Sequence, residues 1–195
     1  MTEHALVLVD FVNDIVHPDG KLSGGGYSAF IEGNSVSSNV ASLLSHCRSK
    51  GDLIVHVRVG FEPNYVDLPS RSPFFGAAKQ YGALDCSSWG FEIADFAAPL
   101  DQELVLRKRR ISAFMATSLD LILRNQGIQT ILVAGCSTDL AVESTARDAH
   151  DLDYNVVVMG DCCAAANEGD HSSSLDLLQK ISKVVSLSDY VNKPG

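Results

Sequence analysis

The chain has 195 residues, 46% of them hydrophobic, and a net charge of −9. Those values suit one α/β domain spanning residues 1–195, since no linker interrupts the chain. The acidity excludes nucleic acid and anionic membrane as main partners, because both require a basic footprint.

Short apolar runs alternate with amphipathic stretches, the pattern of βα units and a mostly parallel sheet. Ala5 to Val9 reads as a buried strand ending in Asp10. Val40, Leu43, Leu44 and Cys47 recur at helical spacing between Val36 and Lys50, with Gly51 as a C-terminal cap. Leu53 to Val59 is the second strand. From Gly60 to Leu100 the chain is rich in Pro, Gly, Ser and aromatics, which predicts a loop-dominated excursion with one short helix, serving as a lid or pocket wall. Further strands are predicted over Glu103–Arg107, Gln129–Ala134, Asn155–Met159 and Lys183–Leu187. Helices are expected over Ser118–Asn125, from Thr138 or Asp139 (either able to cap) to about His150, and over Asp170–Ser182. About six strands joined through helices give a doubly wound, three-layer α-β-α sandwich. Gly24-Gly25-Gly26 reads as a flexible turn near the pocket or a partner subunit.

The five cysteines Cys47, Cys86, Cys136, Cys162 and Cys163 are odd in number and irregularly spaced, which reads as a reducing, cytoplasmic compartment rather than a disulfide framework. The N-terminus shows no basic n-region, and no run approaches membrane-spanning length, so neither a signal peptide nor a span is expected.

In an open parallel sheet, ligands bind beyond the carboxyl ends of the strands. Asp10, the residues just past Arg107 and the turn after Gly135 should therefore converge. A carboxylate, a cation and a helix N-terminus meeting there suit acid–base work on a small molecule, with backbone N–H groups available to an oxyanion. Taken singly, Asp10 is an ordinary strand-end residue, and Lys108 is one member of a charge run, Arg107-Lys108-Arg109-Arg110.

Three local sequences in register add to that reading. Leu8-Val9-Asp10-Phe11-Val12-Asn13-Asp14 resembles the opening Asp-x-Gln-Asn-Asp-Phe motif of the isochorismatase-like (cysteine hydrolase) superfamily. Lys108 to Phe114 resembles its Lys-x-x-x-Ser-Ala-Phe segment. Gly135 to Ala149 is similar to its Gly-x-x-Thr-x-x-Cys-Val-x-x-Thr-Ala-x-Asp-Ala signature. The resemblance runs from Leu6 to about Tyr190 and implies a Rossmann-like hydrolase fold, a small-molecule substrate and a homo-oligomer (dimer or tetramer). It implies Asp10 as general base or acid, Lys108 as its charged partner, a cis peptide between Cys136 and Ser137, and an oxyanion hole from the N–H groups of Ser137 and Ala141. Phe11, Trp89 and Phe114 are candidates for the pocket wall, with core packing as the competing role.

The chain departs from the pattern in three places. Ala141 occupies the nucleophile position, and a methyl group cannot attack a carbonyl. Val12 replaces the Gln of the opening motif. The Asp-x-His metal cluster of the nicotinamidase branch has no counterpart after His56-Val57-Arg58-Val59, so neither metal nor cofactor is expected. Cys136, Cys162 and Cys163 fall near the same sheet edge but read as buried structural residues rather than displaced nucleophiles. Arg58 or Arg71 could hold a substrate carboxylate, with surface ion pairing as the commoner role.

Three functions fit Ala141. The first is an amide or carbamoyl C–N hydrolase whose cysteine was replaced, by engineering or naturally. The second is a thiol-independent vinyl-ether hydrolase using Asp10 and water, and the third an inactive small-molecule-binding homologue.

Overall fold

The structure, a computed structural model, describes residues 3–192; Met1 and Thr2, at the head of the segment read as lacking a leader, lie outside the described residues. Six strands form one sheet: β1 (His4–Val9), β2 (Leu53–Val59), β3 (Leu104–Lys108), β4 (Thr130–Cys136), β5 (Asn155–Ala164) and β6 (Lys183–Val185). Their order is β3-β2-β1-β4-β5-β6, and every neighbouring pair is parallel. The sheet is thus wholly parallel where a mostly parallel one was expected.

Among the described residues eight α-helices accompany it: α1 (Asn13–Val16), α2 (Tyr27–Gly33), α3 (Val36–Lys50), α4 (Pro73–Tyr81), α5 (Leu119–Asn125), α6 (Glu143–Asp151), α7 (Glu168–Leu178) and α8 (Leu187–Asn192). Right-handed crossovers from β1 outward to β2 and from β4 outward to β5 run in opposite directions, which puts their helices on opposite faces. Accordingly α3 packs with α8, and α6 with α7. The central strands read as continuous apolar runs because both faces are covered: Ala5 to Val9 and Ile131 to Ala134 are almost completely buried. At the edge, β3 leaves Leu104 and Val105 partly exposed. No helix among the described residues is long and apolar enough to cross a membrane.

The prediction for α3 holds to its ends, with Gly51 closing it in the left-handed conformation at φ 73°. The last strand is shorter than expected because Ser186 starts a helix, its hydroxyl accepting from the Asp189 N–H (3.1 Å) while Asp161 takes the Leu187 N–H (2.8 Å). β5 is longer than expected: after a register shift near Gly135, Cys163 and Ala164 keep pairing with Gly135 and Cys136. Cys162 and Cys163 consequently lie inside a strand, fully buried. The 60–100 excursion holds α4, capped by Ser72, and two 3-10 turns at Trp89–Phe91 and Asp95–Ala97. Gly135 is required by proximity, since a Cβ there would collide with the Val9 carbonyl of β1.

The start of β3 is held by a buried polar network. Glu103 takes Arg48 of α3 in a two-pronged pair (2.7 and 2.9 Å), His56 of β2 (3.0 Å) and the Leu100 N–H (2.9 Å). These partners outweigh the effect of burial and pull its carboxyl down to about 2. Burial in turn lowers His56, against the pull of Glu103. A depressed carboxylate contributes stability above its unfolded pKa and loses it as pH falls toward the folded value. Glu103→Gln should therefore lower unfolding free energy by on the order of 2 kcal/mol at neutral pH. In urea titrations, that difference should stay level down to about pH 5 and shrink from there toward pH 2.

Candidate active site

The strand order reverses direction between β1 and β4, the place where doubly wound sheets open a crevice at their carboxyl ends. Asp10 follows β1, Val59 ends β2, Lys108 ends β3 and Cys136 ends β4. All four line one cavity of about 580 Å³, a size suited to a small molecule.

Asp10 turns the chain out of β1 with φ at 58°, a left-handed conformation that Asp tolerates better than most residues. Its N–H still donates to the Val57 carbonyl (2.8 Å), which anchors the turn to β2. Asp10 Oδ1 accepts the Val59 N–H (2.7 Å), and Oδ2 lies 2.6 Å from Lys108 Nζ. Lys108 also donates to the Arg110 (3.0 Å) and Ile111 (2.7 Å) carbonyls, which occupies all three hydrogens of its ammonium. The pair is buried, at 3% and 1% exposure. Burial pushes the Asp10 carboxyl above its ordinary value, outweighing the opposing pull of Lys108 and of the Val59 N–H.

The fourth wall is the turn after β4. The peptide between Cys136 and Ser137 is cis. A π-helical turn, Thr138–Val142, follows and runs directly into α6; neither Thr138 nor Asp139 caps it, contrary to expectation. Thr138 instead pairs its hydroxyl with His171 of α7 (2.9 Å). The first i→i+5 bond runs from the Val142 N–H to the Ser137 carbonyl (3.0 Å), so the Ala141 N–H stands ahead of the first rung. Ser137 and Ala141 both line the cavity.

Thr145, fully buried on α6, connects two of the sequence motifs. Its hydroxyl donates to the Ala141 carbonyl (2.6 Å) and accepts the Ala113 N–H (3.0 Å). The Ser112-Ala113-Phe114 segment is thereby fastened to the helix that carries Ala141. The opening motif is similarly divided. Only Asp10 faces the cavity, whereas Asp14 accepts the Leu84 N–H (2.6 Å) and Asn13 donates to the Trp89 carbonyl (3.2 Å), both tying down the 60–100 excursion. Val12, in place of the motif's Gln, packs in a satellite apolar cluster with Phe61 and Phe75.

The three expected aromatic wall residues are not among the cavity's lining. Phe11 points into the main core, edge-on to Phe96 (5.3 Å). Trp89 sits edge-on to His17 (5.0 Å), and Phe114 stacks over Tyr154 (6.0 Å). Adjacency to a motif residue in sequence fixed none of their directions. The aromatic wall comes instead from Tyr27 and from Phe74, Phe75 and Tyr81 of α4. A signal for α4 was present: Ser72-Pro73 opens a helix, and positions 74, 78 and 81 then share a face. Gly24 and Gly25 line the cavity as well.

Neither arginine considered for a carboxylate reaches the cavity. Arg58 lies over the Phe91 ring (3.9 Å) and donates to its carbonyl, and Arg71 borders an outer depression with Arg109 and Arg110. His56 is committed to Glu103, and among the described residues no group of three or more His, Cys, Asp or Glu is placed to hold a metal. Cys136 lines the cavity, but burial first, then the nearby Asp10 charge, pushes its thiol up toward the unreactive protonated form.

Thr145→Val keeps the shape of the side chain while leaving the buried Ala113 N–H and Ala141 carbonyl without its hydroxyl. It should destabilise the fold by about 1–3 kcal/mol in urea unfolding. An unchanged midpoint would mean that Thr145 does not join the two segments.

The Isochorismatase domain family matches the chain over residues 4–189. The chain is 32% identical over 189 residues to an uncharacterized isochorismatase family protein, YecD, of Escherichia coli O157:H7, covering 96% of this chain and 94% of that protein. Among solved structures, it is similar to an isochorismatase family protein from Desulfovibrio vulgaris subsp. vulgaris str. Hildenborough, with a TM-score of 0.86, 28% identity and coverage of 99% of this chain and 100% of that one. An isochorismatase-like hydrolase from Alkaliphilus metalliredigens matches with a TM-score of 0.82 and 27% identity, over 97% of this chain and 98% of the other.

Proposed function

The chain belongs to the isochorismatase family of hydrolases, and on that footing we propose that it hydrolyses a vinyl ether of a small molecule without a thiol. Asp10 moves the proton and water supplies the oxygen. The observation that carries this reading is a buried Asp10–Lys108 pair in a cavity whose wall has Ala141, a residue with no nucleophilic group, where the resemblance places a cysteine. A carboxyl whose pKa is raised by burial suits a proton donor.

In this scheme Asp10 gives its proton to the terminal enol carbon, leaving an oxygen-stabilised cation. Water adds its oxygen to that cation and returns a proton to Asp10. The resulting hemiketal collapses to a ketone and an alcohol. Lys108 keeps the carboxyl oriented, and the apolar lining excludes bulk water from the charged intermediate.

One feature favours the C–N reading. The Ala141 N–H, ahead of the helical ladder, and the Ser137 N–H suit an oxyanion, which vinyl-ether hydrolysis does not form. On that reading a cysteine at 141 is the missing reactant, and the present chain binds amides or carbamates without turning them over.

A panel of vinyl ethers, amides and carbamates separates the two. The unaltered chain should turn over a vinyl ether, with kcat/KM falling as pH rises through the elevated Asp10 pKa. Asp10→Asn should lower that rate by about 10²–10⁴-fold. Amidase activity confined to Ala141→Cys, with no vinyl-ether turnover by the unaltered chain, would sink the proposal in favour of the C–N reading. Saturable binding with no turnover in either form would leave a binding homologue.

A further inference from the structure

Three charged side chains line the cavity: Asp10, Lys108 and Lys21. Asp10 and Lys108 are paired with one another, and all three donors of Lys108 are occupied. Lys21 differs. Its backbone N–H is fixed by Asp14 Oδ1 (3.2 Å), and its ammonium donates to the carbonyl of Gly82, the residue that ends α4 (2.6 Å). Among the described residues, no carboxylate lies within ion-pairing distance of that ammonium. Asp85 feels its charge, but Asp85 Oδ1 already accepts from the Ser87 N–H (2.9 Å) and hydroxyl (2.7 Å). An ammonium offers three hydrogens, and one protein acceptor leaves the others to solvent or ligand. The cavity wall is otherwise largely aromatic and aliphatic, with Tyr27, Phe74, Phe75, Tyr81 and Leu84 among its lining.

The geometry points to Lys21 as the residue that selects the substrate, by pairing with an anionic group, a carboxylate in the simplest case, on a molecule whose apolar body lies against α4. This rests on the reading of the cavity as the substrate site. It assigns the substrate class as a small apolar or aryl acid, with the bond to be broken at the Asp10 end and the negative charge at the Lys21 end. Lys21 is the one lysine of the cavity without a carboxylate partner among the described residues, in a chain whose net charge is −9, so the pocket attracts what the rest of the surface repels.

The competing role of Lys21 is a latch that merely holds the end of α4. Binding of phenylacetate and of its neutral isostere phenylacetamide, measured by calorimetry, distinguishes the two. Phenylacetate should bind the unaltered protein about two- to fivefold more tightly than the amide, as expected of a partly exposed ion pair. Lys21→Met should erase that preference, and Lys21→Arg should retain it. Equal loss of both ligands in Lys21→Met is the signature of a latch and would overturn the inference. So would equal affinity of the two ligands for the unaltered chain, or binding of neither. Because no turnover is measured, a chain that hydrolyses nothing yet shows the Lys21-dependent preference would refute the catalytic reading and leave this one standing.

Discussion

The architecture of the site depends on one buried ion pair, Asp10 with Lys108. A buried pair is a poor source of stability, because desolvating two charges takes back most of what their attraction gives. Its geometry is instead a condition that three strands meet together. Asp10 Oδ1 reads the end of β2 through the Val59 N–H, and Val59 is the register partner of Lys108 on β3. A slip of one residue in either pairing would turn Lys108 to the opposite face and leave Asp10 buried without its cation. The Glu103 network at the other end of β3 holds that same register from below, using α3 and β2. Edge strands are the easiest to displace, and β3 is an edge strand. Its two ends are therefore the places where ion pairs matter most.

The motifs divide into residues that face the cavity and residues that hold it. Of the opening segment, Asp10 alone reaches the cavity, while Asn13 and Asp14 secure the long excursion that supplies α4. Of the signature after β4, Ser137 and Ala141 line the site, and Thr138 and Thr145 tie it to α7 and to the segment around Ala113. None of these supports involves the side chain of residue 141. The pocket is accordingly formed with alanine at that position.

The sheet was legible because its strands are buried on both faces and read as unbroken apolar runs; the extra length of β5 was not. Gly160-Asp161 reads as a strand end, but the register shift near Gly135 lets the strand carry on to Ala164. Asp10 and Lys108 were legible because a strand end in a parallel sheet has a known direction. The aromatic wall was not, because a side chain's direction in an irregular stretch depends on tertiary contacts. Phe11 follows a residue with left-handed backbone and so rotates into the core against Phe96. Phe74 and Tyr81 could have been ranked above Trp89 from helical spacing after Ser72-Pro73, had the excursion been read for periodicity rather than for composition.

The same apolar wall explains how the two ends of the cavity differ electrically. At the closed end, the lining strips water from Asp10, so its proton is held more tightly even beside a lysine. Lys21, by contrast, is exposed and has no carboxylate partner among the described residues. A ligand that fills the space between them removes water from both at once. Desolvation strengthens the attraction of Lys21 for an anion and raises the proton affinity of Asp10 further. On the proposed reading, filling the pocket with a molecule of the right charge therefore favours the protonated form of Asp10 that donates. On that reading, recognition at α4 and protonation at the end of β1 are coupled through the exclusion of the same water.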